Sequence, residues 1–181
     1  MKQTEYPLLD ETAFRQTLPN GLRVTVVPRK GFQKKMAYFV TDFGSIHTAF
    51  RLDGEEYRVP AGIAHYLEHK LFDLPGDRDV SAEFAELGAN ANSFTSYDMT
   101  AYYFSCTSRF SECLKLLLEF VSTPYFTRES VDKERGIIDQ EIGLLHAQIT
   151  NITEQISAFS VLVADKQDEL DNAETRFEQM N

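Results

Sequence analysis

The chain has 181 residues, 43% of them hydrophobic and 25% charged, the composition of a globular domain long enough to bury a core without disulfides. Its 28 acidic and 18 basic residues leave a net charge of −10, which repels phosphate backbones and excludes nucleic acid as a partner. Cys106 and Cys113 are too few for a disulfide framework or a metal quartet and read as reduced, partly buried thiols. The opening residues lack the apolar stretch of a secretory signal, and no window approaches the roughly 18 apolar residues of a membrane span. A cytoplasmic chain without a membrane partner is therefore expected.

Residues 1–20 are polar, with scattered apolar positions, and end in the turn signal Pro19-Asn20-Gly21. The β-rich run Leu22–Val27, stopped by Pro28, and a second at Met36–Val40 read as a hairpin-like pair joined by the basic loop Lys30–Lys35. The polar segment Asp53-Gly54-Glu55-Glu56 leads to Pro60, which fits a helix start, and Ile63–Phe72 keeps helical apolar spacing. Asp79–Leu87 reads as another helix, closed by Gly88. Asn92–Tyr97 and Thr100–Thr107, separated by Asp98-Met99, predict a hairpin. Ser108–Val121 carries Phe110, Cys113, Leu114, Leu117, Leu118 and Val121 as the apolar stripe of a helix that Pro124 ends. Thr127–His146 is a further long helix with Ile137, Ile138, Ile142 and Leu145 on its apolar face. Hairpins rather than βαβ alternation predict an α+β fold, a largely antiparallel sheet with helices packed on one face.

The last residues differ in kind. A heptad from Ile149 puts Ile149, Ile156, Val163, Leu170 and Phe177 in one column and Ile152, Phe159, Lys166, Ala173 and Met180 in the other. Asn151 followed by Glu154 resembles a capping box, so a fresh helix is expected to start there. The division expected is residues 1–148 as the α+β domain and 149–181 as an amphipathic helical tail. That tail suits packing on the domain's own core or pairing with a partner helix, including a homo-oligomer.

The chemistry lies in His65-Tyr66-Leu67-Glu68-His69. On a helix the two histidines are one turn apart and face the same way, so they can hold one metal ion at little entropic cost. Glu68 shares that side and can take a proton from water beside the metal. A zinc ion (Zn2+) needs a third protein ligand, and the candidates are Glu134 and Glu141, seven residues apart on one helix face. One can ligate while the other orients a ligand or the water.

The order His-x-x-Glu-His marks the inverzincins, and the chain resembles the pitrilysin/insulinase family of zinc metallopeptidases, most nearly its bacterial insulinase-like members. Gly62–Phe72 is similar to that family's active-site helix, Asn90–Phe104 to its substrate-side hairpin, Lys133–Ile142 to the helix supplying the last ligand, and Pro19–Val24 to its usual opening. The resemblance covers roughly residues 15–145, with its blocks in the family's order. It implies that residues 1–148 are a pitrilysin-type N-terminal domain, that His65, His69 and Glu141 bind zinc, that Glu68 is the general base, and that Glu134 supports the site from outside the ligand set. It also implies that Asn92 hydrogen-bonds near the site and that the edge strand through Ser93, Phe94, Thr95 and Ser96 pairs with an extended peptide.

Members of that family enclose a chamber between two halves, each of two related α+β domains, and this chain has length for one such domain. The expected function is peptide-bond hydrolysis by a zinc metalloendopeptidase, alone or with a second insulinase-like chain. The alternatives are a non-catalytic, zinc-containing binding subunit and a fragment of a larger peptidase.

Overall fold

The clearest period-2 pattern in the chain becomes its central hairpin. In the structure, a computed structural model that describes residues 1–76 and 78–179, strands β9 (Ala89–Thr95) and β10 (Thr100–Cys106) pair antiparallel, Thr100 opposite Thr95 and Cys106 opposite Ala89. Strand β4 (Lys35–Thr41) pairs with the other side of β10, giving the order β4-β10-β9. The expected hairpin is thus present, and β9 is an edge strand among the described residues.

Alternation sorts this sheet into two faces. Thr100, Tyr102, Phe104 and Cys106 of β10 all point inward and are buried. The residues of β9 on the same face, Ala89, Ala91, Ser93 and Thr95, are small. That leaves room for helix α2 (Val80–Glu86) on β9, while helix α3 (Phe110–Ser122) packs on β10 and β4. On the other face, Tyr38 stacks on Tyr103 with ring centroids 4.7 Å apart, and Met36, Val40 and Phe94 stay exposed.

The core is aromatic. Phe120 of α3 lies 5.0 Å from Phe72, 5.7 Å from Tyr102 and 6.1 Å from Phe84, centroid to centroid, and Phe84 stacks on Phe104. The buried stripe of α3 is Cys113, Leu116, Leu117 and Phe120, at i, i+3, i+4 and i+7. Leu118, expected in that stripe, is exposed. Its period puts it about 100° from Leu117, off the covered face. Cys106 and Cys113 are both buried and free, as thiols of a packed core, and burial is the main cause that raises the Cys113 thiol.

Helix α2 has the termini its sequence announces. Asp79 caps it by accepting from the Ala82 amide at 3.1 Å, and Gly88 follows its end. Arg78 forks onto Glu83 and reaches Glu119, tying α2 to α3.

The N-terminal third departs from expectation. Residues 1–20 contain two strands, β1 (Lys2–Tyr6) and β2 (Glu11–Thr17), joined through a 3-10 turn at Pro7–Leu9. Strand β3 (Arg23–Val26) pairs with β2, not with β4, so the expected 22–40 hairpin does not form. The three-residue loop Pro19-Asn20-Gly21, flanked by the Leu18 N–H to Leu22 carbonyl bond, lies between β2 and β3, and a tight turn selects its flanking strands over a long basic loop. The polar segment at 53–56 is itself the turn and second strand of a hairpin, β5 (Ala49–Leu52) with β6 (Glu55–Arg58). A short pair, β7 (Asp73–Leu74) and β8 (Arg78–Asp79), completes the strands.

The chain divides into two compact units, Met1–Pro124 and Tyr125–Asn181. The second is helix α4, Arg128–Gln179, unbroken through 52 residues. No fresh helix starts at Asn151. Its side chain accepts from Gln155 at 3.3 Å, a contact one turn along a continuous helix rather than a cap. No Pro follows Pro124, and the last glycine is Gly143, so nothing interrupts the hydrogen-bond ladder. Ile149, Ile152, Ile156, Phe159, Val163, Leu170 and Phe177 are each more than half exposed, and Met180 lies outside the described residues. No helix among the described residues is long and apolar enough to cross a membrane.

Candidate metal centre

Helix α1 (Ile63–Lys70) carries the histidine pair. Its start is at Ile63, three residues after Pro60, because Gly62 takes φ +88° at the cap position, a conformation that favours glycine. The eight-residue helix buries Ala64, Glu68 and Lys70 and leaves His65 and His69 half-buried. Lys70 is fully buried and its ammonium is held by Asp73 Oδ2 at 2.5 Å, which fixes the C-terminal end of the helix.

The imidazoles of His65 and His69 meet edge-on, with Nε2 atoms 3.1 Å apart. Two nitrogens on one tetrahedral zinc ion, each about 2.05 Å from it, stand about 3.3 Å apart. The pair is therefore spaced as two ligands of one ion, and its neutral-nitrogen donor set suits zinc.

Glu68, between them in sequence, is buried. Its Oε2 accepts from the Thr95 hydroxyl at 2.5 Å, while Oε1 takes no hydrogen bond among the described residues. The Thr100 hydroxyl, across the hairpin, donates to the Phe43 carbonyl at 2.9 Å. Tyr102 lies close enough to feel the Glu68 charge. Burial first, and that charge second, hold its phenol well above the usual tyrosine range.

The other expected site residues divide as follows. Ser93 and Thr95 lie on the inner face of β9. Asn92 and Phe94 lie on the opposite, exposed face, and Asn92 Oδ1 accepts from the Ser93 amide at 2.9 Å. Glu134 and Glu141 are in the second unit, on the face of α4 that also carries Ser130, Val131 and Ile138. Glu134 is buried and Glu141 half-buried, whereas Lys133, Arg135, Asp139 and Gln140 are exposed. Sequence reasoning missed Thr100 and the Phe43 carbonyl. A threonine facing a threonine across a predicted hairpin was the available signal for Thr100. A main-chain carbonyl leaves none.

Residues 54–161, more than half the chain, match the family model described as Insulinase (Peptidase family M16). The chain belongs to the insulinase family. It is 49% identical to the zinc protease YmfH of Bacillus subtilis (strain 168) over 146 residues, which is 80% of this chain and 34% of that protein. It is 29% identical to the probable mitochondrial-processing peptidase subunit beta of Arabidopsis thaliana, over 75% of this chain and 25% of that one. Among solved structures, an M16-like peptidase from Alicyclobacillus acidocaldarius superposes with a TM-score of 0.71 at 44% identity, covering 78% of this chain and 32% of that chain. The chain thus spans about a third of the length of these bacterial insulinase-family relatives. Their names carry the words protease and zinc, and the mixed fold of antiparallel strands and helices is shared with a solved member.

Proposed function

We propose that this chain carries the zinc centre of a metalloendopeptidase, with His65, His69 and Glu141 as ligands, Glu68 as general base and Glu134 orienting the ligand set. The observation that carries the reading is the His65–His69 pair, whose Nε2 atoms stand 3.1 Å apart on one face of α1 with Glu68 on the same helix. Bound there, zinc supplies a Lewis acid that lets water lose a proton near neutral pH. Glu68 Oε1, the carboxylate oxygen not engaged by Thr95, takes that proton and returns it to the leaving amine. The substrate is an extended peptide, and the free edge of β9 through Ser93–Thr95, beside Asn92, offers it a backbone ladder. A second insulinase-like chain supplies the rest of the binding surface. The relative named as a peptidase subunit supports that arrangement.

The test is cleavage of an unstructured, internally quenched peptide by the zinc-loaded chain. Chelator-sensitive cleavage that falls at least about 100-fold in Glu68→Gln, with zinc retained, is expected. His65→Ala and His69→Ala are expected to lose the zinc. Cleavage that survives Glu68→Gln overturns the assignment of the base.

A second reading is a non-catalytic, zinc-containing subunit. A relative favours it: the ubiquinol-cytochrome-c reductase complex core protein I of Euglena gracilis, 28% identical over 81% of this chain and 30% of that one, is named for a complex and not for a peptidase. A folded, zinc-loaded chain that cleaves nothing even with a second insulinase-like chain present decides for this reading.

A further inference from the structure

We propose that Thr95 is a positioning residue for Glu68, holding one carboxylate oxygen so that the other points where a proton must be taken. This deepens the peptidase reading and rests on it. The Thr95 side chain lies on the inner face of β9. Its hydroxyl donates to Glu68 Oε2 across 27 residues of sequence. The carboxylate outcompetes the one other side-chain acceptor in reach, being charged and 2.5 Å away against 3.4 Å for Thr100 Oγ1. The Thr100 hydroxyl's own proton is committed to the Phe43 carbonyl. Each threonine has one hydroxyl proton, so each points a fixed way.

The donor is also anchored. Thr95 pairs with Thr100 in the ladder, and the turn that follows it is closed by Ser96 N–H to the Met99 carbonyl at 2.8 Å. That turn is clamped from outside. The Ser45 amide donates to the Ser96 carbonyl at 2.9 Å and the Ile46 amide to the Tyr97 carbonyl at 3.0 Å. Glu68 has three rotatable bonds of its own and sits on a helix only eight residues long. A hydroxyl fixed to the sheet removes the freedom of its last bond and so fixes where Oε1 stands. Thr95 keeps its proton throughout, donating to the carboxylate before and after Oε1 accepts one, so it acts by orientation and exchanges nothing.

The experiment compares wild type, Thr95→Val and Thr95→Ser. Valine keeps the shape and removes the hydroxyl; serine restores it. In the zinc-loaded chain, with the quenched peptide, Thr95→Val is expected to lower kcat by about 10- to 100-fold with KM unchanged, and Thr95→Ser to recover most of the loss. Bound zinc is expected to be equal in all three. A second arm needs no activity. Chains labelled with 13C at the glutamate carboxyl carbon, metal-free, report the Glu68 signal, assigned by its loss in Glu68→Gln. That signal is expected to shift in Thr95→Val and return in Thr95→Ser. A Glu68 signal unmoved by Thr95→Val, or a loss expressed in KM alone, overturns the proposal. If the wild-type chain cleaves nothing, even with a second insulinase-like chain present, the peptidase reading fails separately and the carboxyl signal decides the role of Thr95.

Discussion

Helices α3 and α4 both carry apolar stripes at helical spacing, and the fold treats them in opposite ways. On α3, Cys113, Leu117 and Phe120 are each at most 1% exposed. On α4, Ile149, Ile156 and Phe159 are each at least 60% exposed. The patterns are similarly legible in the sequence. What differs is the covering: α3 has a sheet face of Tyr102, Phe104 and Cys106 against it, and the apolar columns of α4 stand exposed. Periodicity identifies a face; only a second element with a matching face says that it is covered.

The contrast is sharpest at Phe120, where three aromatic rings converge. Phe120→Ala is expected to cost about 3–5 kcal/mol, since the ring's burial is lost and its neighbours Phe72, Phe84 and Tyr102 belong to separate elements that cannot all close the void. Urea unfolding followed by circular dichroism measures it. A loss under about 1 kcal/mol would mean that the core is looser than its packing and that α3 and α4 are not so different.

A smaller effect is expected at Gly44. A Cβ there would stand 2.5 Å from the Met99 nitrogen and 2.6 Å from the Ser96 and Tyr97 carbonyl oxygens, all backbone atoms that cannot swing aside. Gly44→Ala is expected to cost about 1–3 kcal/mol and to speed amide hydrogen exchange at Ser45 and Ile46, whose bonds to the β9–β10 turn must lengthen. Unchanged exchange would show that the turn moves with the loop and clamps nothing.

Gly44 also marks where the sequence stopped being readable. Elements whose identity rests on local signals were legible: the β9–β10 hairpin from β-rich runs around Asp98-Met99, α2 from Asp79 and Gly88, α1 from Pro60 and its apolar spacing. Elements whose identity rests on distant pairing were not. Strand β3 was visible, but its partner β2 lay in a segment too polar to announce a strand, because a strand with one exposed face needs few apolar residues. The site divides the same way. His65, Glu68 and His69 share one helix turn, so spacing alone grouped them. Thr95, Thr100 and the Phe43 carbonyl reach Glu68 only through the sheet, and no linear pattern joins residues 43, 68, 95 and 100.

At the surface between α2 and α3 a titration tests the comparison gently. The Arg78 guanidinium, hydrogen-bonded to Glu83, holds that carboxyl below the usual glutamate range. A depressed folded-state pKa contributes stability above the unfolded-state value, and that stability is lost as pH falls through the folded value. Glu83→Gln is therefore expected to lower stability at pH 7 by no more than about 1 kcal/mol, since both partners are about one-third exposed. The gap from wild type should close on acidification below roughly pH 4. A gap that persists after the folded-state Glu83 carboxyl has been protonated would assign the effect to packing rather than charge.

The smallest expected effect belongs to the exposed stripe itself. Ile156 is 62% exposed, so its truncation removes little apolar area from a buried setting. Alanine has the higher helix propensity and offsets part of even that. Ile156→Ala is expected to shift stability by less than about 0.5 kcal/mol, against several for Phe120→Ala, in the same urea experiment. The measurement is worth making at two protein concentrations well apart. If the column formed by Ile149, Ile156 and Val163 is bare in solution, the Ile156→Ala shift stays small at both. A cost that approaches that of Phe120→Ala and grows with concentration would mean that the stripe is covered by another chain. The difference between α3 and α4 would then lie in which molecule supplies the second face.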